Sequence, residues 1–399
     1  MQPSTSQLEA TAIRRDAPIP AFNLTRQYET IKDEIHAAID GVLASQHFIG
    51  GPELEQFEAE AAQYLGVTAV VGCASGTDAL WLALEAVGVG PGDLVLTTPF
   101  SFFASASSVA RCGATPVFAD IDPATLNLSP EAAKSALKSS AEKAKAILPV
   151  HLYGQCADMS AFHELGKNFG AVVIEDAAQG FGAKCHGKMA GSLGKVAAFS
   201  FYPTKNLAAY GEGGCIATDD AELAAHVRKF RNHGGRQRYY HDEFGWNSRL
   251  DALQAAILRV KLRHLNSWND RRRAIAARYA ASFESAGLTQ PGSVSPNQQK
   301  PIAPLVVMAD AFHIFHQYVV RAYRRDELRA FLSEAGIGTE IYYPVPLHLQ
   351  QAFANLGYEK GRFPEAERAS AEVLALPIFP ELREEEQQRV VAKIAEFYS

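Results

Sequence analysis

Residues 171–183 read AVVIEDAAQGFGA. An unbroken apolar run, Ala171 to Ile174, meets two carboxylates and then a small, glycine-rich stretch. A continuous rather than alternating apolar run predicts a strand buried on both faces, as in a parallel sheet. Asp176 then falls just past the strand, at the carboxyl edge where open parallel α/β sheets bind ligands. On this segment alone, a helix cap or a loop ion pair is an equally good reading.

The pattern repeats on both sides of that stretch. VTAVVGCAS (67–75), DLVLTTP (93–99), TPVFADI (115–121), AKAILPVHLYG (144–154), KVAAFSF (195–201) and GCIATDD (214–220) read as strands. TDALWLALEAVG (77–88), SFFASASSVARCG (101–113), SPEAAKSALKSS (129–140, capped by Ser129) and MSAFHELGKNFG (159–170) read as the helices between them. Repeated βα units predict a mainly parallel sheet with helices on both faces. Upstream, residues 27–46 carry Ile31, Ile35, Ala38 and Val42 at helical spacing. Residues 50–66 begin a second helix at Pro52 and end it at Gly66. From 251 to 287 one long helical pattern follows, with basic residues on a solvated face. A proline- and glutamine-rich loop, a strand at 313–322 and a helix at 324–336 suggest a smaller α+β unit. The expected division is a flexible arm over 1–20, a large domain over 21–260 and a small domain over 261–399.

The bulk properties narrow the function. The chain has 399 residues, 47% hydrophobic and 21% charged, with a net charge of −6. That is a soluble globular balance with no basic footprint for nucleic acid and no polybasic membrane patch. No stretch is long and apolar enough for a transmembrane helix, and the first residues lack a secretory apolar region. Cys73, Cys112, Cys156, Cys185 and Cys215 are odd in number and scattered, so neither a metal site nor a disulfide framework is expected. Reduced thiols and a cytoplasmic location are the expectation.

Two more segments carry chemistry. FSFYPTKNLAAYGEGG (199–214) places one lysine, Lys205, between a strand and a glycine cluster. A lysine in a low-dielectric pocket loses its proton more easily and becomes a nucleophile; an exposed loop lysine is the plain alternative. In GCASGTDALWLAL (72–84), Ser75, Gly76 and Thr77 stand between a strand and a helix start, where free N–H groups and a hydroxyl suit a phosphate. A simple N-cap is the plain alternative there. Together, a phosphate cradle, a strand-end carboxylate and a downstream lysine are the parts that pyridoxal 5′-phosphate (PLP) requires.

With these in view, the sequence resembles the DegT/DnrJ/EryC1/StrS group of sugar aminotransferases from about Pro20 to Leu382. The motifs that carry the likeness are SGTDAL (75–80), PVHLYGQCADM (149–159), EDAAQGFGA (175–183), FSFYPTKNL (199–207), GEGG (211–214), RNHGG (231–235), GWNSRLDALQAAIL (245–258), YYPVPLHLQ (342–350) and LALPIFP (374–380). The resemblance implies an α/β chain of PLP fold type I, aspartate aminotransferase-like, with a mainly parallel sheet and a smaller C-terminal α+β domain. It makes Lys205 the Schiff-base lysine and proton shuttle, and pairs Asp176 with the pyridine nitrogen. Gln179 would lie near the ring and its phenolic oxygen; Gly76, Thr77 and Ser200 would hold the phosphate; Phe102 would stack on the ring. Asn247 would complete the phosphate site of a neighbouring subunit, in a homodimer with active sites at the interface. His151, Tyr153, Arg249, His316 and Tyr342 are candidate substrate contacts. The alternatives are a satisfied core residue for His151, plain core for Phe102, a turn residue for Asn247 and a strand-end hydroxyl for Ser200.

The implied reaction is a ping-pong transfer from L-glutamate, through pyridoxamine 5′-phosphate, to a nucleotide-linked keto sugar. PVHLYGQCADM and HQYVVR (316–321) look most like members acting on dTDP- or UDP-3-keto sugars, with 4-keto sugars and keto-inositols as alternatives. Tyr342 departs from the histidine common there, which weakens the assignment of the sugar. Lysine at 205 argues against the sugar dehydratases of this group, which carry histidine. A silent binding protein that keeps the fold is the remaining alternative. No metal is expected.

Overall fold

The computed structural model describes residues 17–139, 143–237, 239–290 and 295–399. The first sixteen residues of the expected arm lie outside them. Residues 17–20 are tied down: Ile19 is buried and exchanges backbone hydrogen bonds with Gly336 and Gly338 at 2.8 and 2.7 Å.

Seven strands form the central sheet, in the order Ala69–Cys73, Gly214–Thr218, Val196–Ser200, Val172–Asp176, Ala144–Leu148, Leu94–Thr97, Thr115–Phe118. Only Gly214–Thr218 runs antiparallel to its neighbours, so the mainly parallel sheet is as expected. Most of its positions are sealed, including every residue of Ala69–Cys73 and Gly214–Thr218. One apolar layer on the sheet is built from residues such as Leu80, Leu84, Val109 and Ile174. Another packs Phe57, Phe199, Phe201 and Leu258 together.

The punctuation read from sequence holds. Pro52 opens the Pro52–Leu65 helix and Gly66 ends it at φ 70°, where a side chain would be strained. Ser75 caps Gly76–Ala86 by accepting the Asp78 N–H at 3.1 Å, and Ser129 accepts the Ala132 N–H at 3.2 Å.

The 34-residue helix Ala252–Ser285 bridges two cores. Its first half buries Leu258, Leu262 and Leu265 against the sheet layer. Its second half places Ile275, Tyr279 and Phe283 against an antiparallel three-stranded sheet, ordered Ile302–Pro304, Tyr318–Ala322, Val373–Leu376.

This topology fixes where chemistry can occur. Strands Ala69–Cys73, Val172–Asp176 and Val196–Ser200 run parallel. Their carboxyl ends therefore deliver Ser75–Thr77, Asp176 and the Ser200–Lys205 turn to one edge of the sheet.

Candidate active site

Asp176 ends its strand with the carboxylate buried. Its Oδ2 accepts a 2.6 Å bond from Ser105, whose hydroxyl lies 2.8 Å from that of Ser101. Its Oδ1 accepts the Ala178 N–H at 3.2 Å. Burial pushes this carboxyl above the usual range, while Ser105, Ala178 and Lys205 hold it down. The site thus keeps a carboxylate out of water without a cation in direct contact.

Lys205 stands on the turn after Val196–Ser200, its N–H bonded to the Tyr202 carbonyl at 2.8 Å. Burial pushes its amine down to about 8, and the Asp176 carboxylate opposes that shift. A partly buried lysine beside a buried carboxylate is the pairing that the two motifs anticipated.

The first two amides of the Gly76–Ala86 helix, on Gly76 and Thr77, have no intrahelical acceptor and point past the helix start. Ser200 comes against this start so closely that a Cβ on Gly76 would lie 2.5 Å from the Ser200 Cβ. On the neighbouring strand, where Gly214 pairs with Ser200, a Cβ on Gly214 would meet the Ser75 carbonyl oxygen at 2.4 Å. Glycine is therefore required at both positions, and the result is an amide- and hydroxyl-lined cradle. We expect Gly76→Ala to weaken PLP binding at least tenfold and to lower the melting temperature by several degrees, since overpacking against Ser200 costs about 1–3 kcal/mol. Fluorescence titration with PLP and a thermal melt check both.

Gln179 is clamped. Its Oε1 accepts the Tyr153 N–H at 2.5 Å and its Nε2 donates to the Tyr343 hydroxyl at 3.0 Å. Tyr153, held at φ 58°, donates its own hydroxyl to the Tyr342 carbonyl. Phe102 is 58% exposed, with its ring 6.2 Å from that of Tyr343, so one face is free to cover a flat ligand. His316 and Tyr342 line a cleft with Thr204, Gln317 and Phe22.

The structure thus gathers Gly76, Thr77, Phe102, Tyr153, Asp176, Gln179, Ser200, Lys205, His316 and Tyr342 about one edge of the sheet. The other candidates are placed differently. His151 is sealed, with Nε2 2.9 Å from Glu175 and Nδ1 accepting the Ala157 N–H at 3.2 Å. Glu175 also takes the amides of Gly191, Leu193 and Gly194, so both side chains anchor that loop. Asn247 and Arg249 lie on a protruding segment. Asn247 is exposed, and Arg249 bonds Asn232 at 2.9 Å. Ser248 between them is buried and reaches Asp78 at 2.7 Å.

Ser105, Tyr343 and Asn206 were not singled out from sequence. Each lies inside a quoted segment, SFFASASSVARCG, YYPVPLHLQ or FSFYPTKNL. Their partners, however, are 71, 164 and 110 residues away, and no local pattern encodes those contacts.

Residues 29–395 match the DegT/DnrJ/EryC1/StrS aminotransferase family. A "pleiotropic regulatory protein" of Geobacillus stearothermophilus is 52% identical, over 95% of this chain and 98% of its own length. The dTDP-3-amino-3,4,6-trideoxy-alpha-D-glucose transaminase of Streptomyces venezuelae is 44% identical over 96% and 97%. The crystal structure of S. venezuelae DesV in complex with a ketimine intermediate superposes with a TM-score of 0.90 at 43% identity, covering 96% of this chain and 99% of that one.

Proposed function

The chain belongs to the DegT/DnrJ/EryC1/StrS aminotransferase family, and from that premise we propose that it is a PLP-dependent enzyme moving the amino group of L-glutamate to a dTDP- or UDP-linked 3-keto sugar. The observation that carries this reading is the pairing of Lys205, its amine shifted toward neutrality, with the buried Asp176 beside the Gly76–Ser200 cradle.

These residues fit the cofactor. Gly76, Thr77 and Ser200 would hold its phosphate, Asp176 its ring nitrogen, Gln179 its phenolic oxygen and Phe102 the ring face. When bound, PLP supplies an electron sink for the pair left as the amino acid loses its α-proton. Lys205 supplies the amine that holds the cofactor and, once released from it, takes and returns that proton. A pKa of about 8 suits both directions of transfer near neutral pH. Asp176 would keep the ring nitrogen protonated, and the bond from Ser105 to its Oδ2 holds that carboxylate in place.

The assembly we propose is a homodimer in the cytoplasm. Tyr239, Tyr240, Phe244 and Trp246 are 52–97% exposed on the segment that carries Asn247. An apolar projection of that kind favours covering by another subunit, with Asn247 entering its site. All five cysteines are buried free thiols, which fits a reducing compartment.

The test is an absorbance spectrum of PLP-loaded protein before and after L-glutamate. We expect the cofactor band to shift to that of the amino form, and the amino form to be discharged by a dTDP-3-keto sugar. Protein that binds PLP but does not respond to any amino donor would support a silent binding protein that keeps the fold; the Geobacillus relative is named a regulatory protein.

A further inference from the structure

His316 is only 7% exposed, yet it lines a cleft with Thr204, Arg272, Glu340 and Tyr342, and the Lys205 amine is near enough to act on its charge. Its Nδ1 lies 3.0 Å from the side-chain oxygen of Asn206. The orientation of Asn206 is set from the other end. Its NH2 lies 2.7 Å from Asn269 Oδ1 and 3.4 Å from the Ile314 carbonyl. A carbonyl only accepts, so the Ile314 contact favours the NH2 on that side and the oxygen toward His316. An oxygen there demands a proton on Nδ1.

The ring has no second proton to place on Nε2. Burial, the Lys205 amine and the Arg272 guanidinium all hold the imidazole neutral. Arg272 is itself buried, and its Nη1 donates to the His316 carbonyl at 3.2 Å. Nε2 therefore carries a lone pair, and among the described residues no protein group hydrogen-bonds to it. It is not one of the sealed polar atoms, so water reaches it in the free protein and a ligand hydroxyl can take that water's place.

Building on the aminotransferase reading, we propose that His316 Nε2 accepts a hydrogen bond from the sugar hydroxyl next to the carbon that receives the amino group. A carboxylate has no proton to offer this acceptor, so any gain from His316 Nε2 belongs to the sugar half of the reaction. Asn206 acts as a positioning residue that selects the tautomer, in the way an outer partner fixes a metal-bound histidine.

Two measurements test this. The first is a 15N–1H correlation spectrum of the full-length protein labelled at histidine, with His316→Asn identifying the resonances. We expect Nδ1 protonated and Nε2 bare near pH 7; a proton on Nε2 overturns the proposal whatever the enzyme's substrate. The second compares half-reactions by stopped-flow absorbance. The probes are L-glutamate and dTDP-3-amino-3,4,6-trideoxy-α-D-glucose, which runs the sugar half backwards and keeps a single ring hydroxyl, at C2. His316→Asn retains an N–H for Asn206 but removes the acceptor. It should slow the amino-sugar half-reaction about tenfold more than the glutamate half, the size of one neutral hydrogen bond. His316→Gln, which returns an oxygen near the place of Nε2, should recover most of that loss. Removing the C2 hydroxyl from the sugar should cost the wild type a similar factor and cost His316→Asn nothing further. Equal losses in both halves, or a tenfold loss that persists with the 2-deoxy sugar, overturns the assignment. Wild-type protein that ignores L-glutamate overturns the aminotransferase reading instead, and the nitrogen spectrum still decides the state of His316.

Discussion

Lys205→Ala is expected to abolish conversion of the bound cofactor by L-glutamate, with turnover falling on the order of 10⁴-fold or more. Among the described residues no other amine is placed to replace it. The buried Lys261 lies over the Tyr210 ring and makes no contact with the Asp176 cluster. The loss should be chemical rather than structural. Burial penalises the charged amine of Lys205, so its removal relieves a cost at neutral pH, and the apoprotein should melt no lower than wild type. The pH dependence provides a second readout. The free amine is the nucleophile, so PLP capture by the wild-type apoprotein should rise about tenfold per unit below pH 8 and level off above it. An ordinary lysine, titrating near 10.4, would keep rising through pH 9. Stopped-flow absorbance across pH 6–10 distinguishes the two, and a variant that turns over within tenfold of wild type removes Lys205 from the chemistry.

Much of this was legible in the sequence because the signals are local. AVVIED announces a buried strand, and its last residue must emerge at the edge where parallel sheets act. FSFYPTK repeats the same grammar on the next strand, and the structure pairs those strands side by side. Gly76 and Ser75 read as a helix start, and they are one. What stayed hidden depends on chain segments that meet only after folding. Ser105 has nothing to distinguish it within a run of small residues, yet it contacts Asp176 through a 2.6 Å bond. His151 also stands near the carboxyl end of a strand, three residues past Leu148, but Glu175 and the Ala157 amide engage both of its nitrogens. The state of His316 turns on a carbonyl two residues earlier and on Asn206, 110 residues away. Periodicity fixes which face a side chain takes. It does not fix which polar partner waits there, and that partner decides whether a histidine is anchored or offered to a ligand.

Asp176→Asn is expected to leave the fold and PLP capture in place while slowing α-proton removal on the order of a hundred- to several-thousandfold. Asparagine has nearly the same shape and can still accept from Ala178 or Ser105, so little packing is lost. The negative charge is lost, and with it the reason for the cofactor's ring nitrogen to stay protonated. Removing one member of a buried charge pair costs about 3–5 kcal/mol, which sets that range of rates. The stability should move the other way in the apoprotein. A carboxyl whose pKa is raised by folding favours the folded state at acid pH, and that contribution is lost as pH rises through its folded value. Above that value the ionised, buried Asp176 is therefore a cost, and there the asparagine variant should melt at or above wild type without cofactor. With PLP bound the order should reverse, because only the carboxylate gains a charged partner. Thermal melts of both proteins, with and without PLP, read this crossing. A variant that melts lower without cofactor and loses nothing in rate would make Asp176 a structural residue.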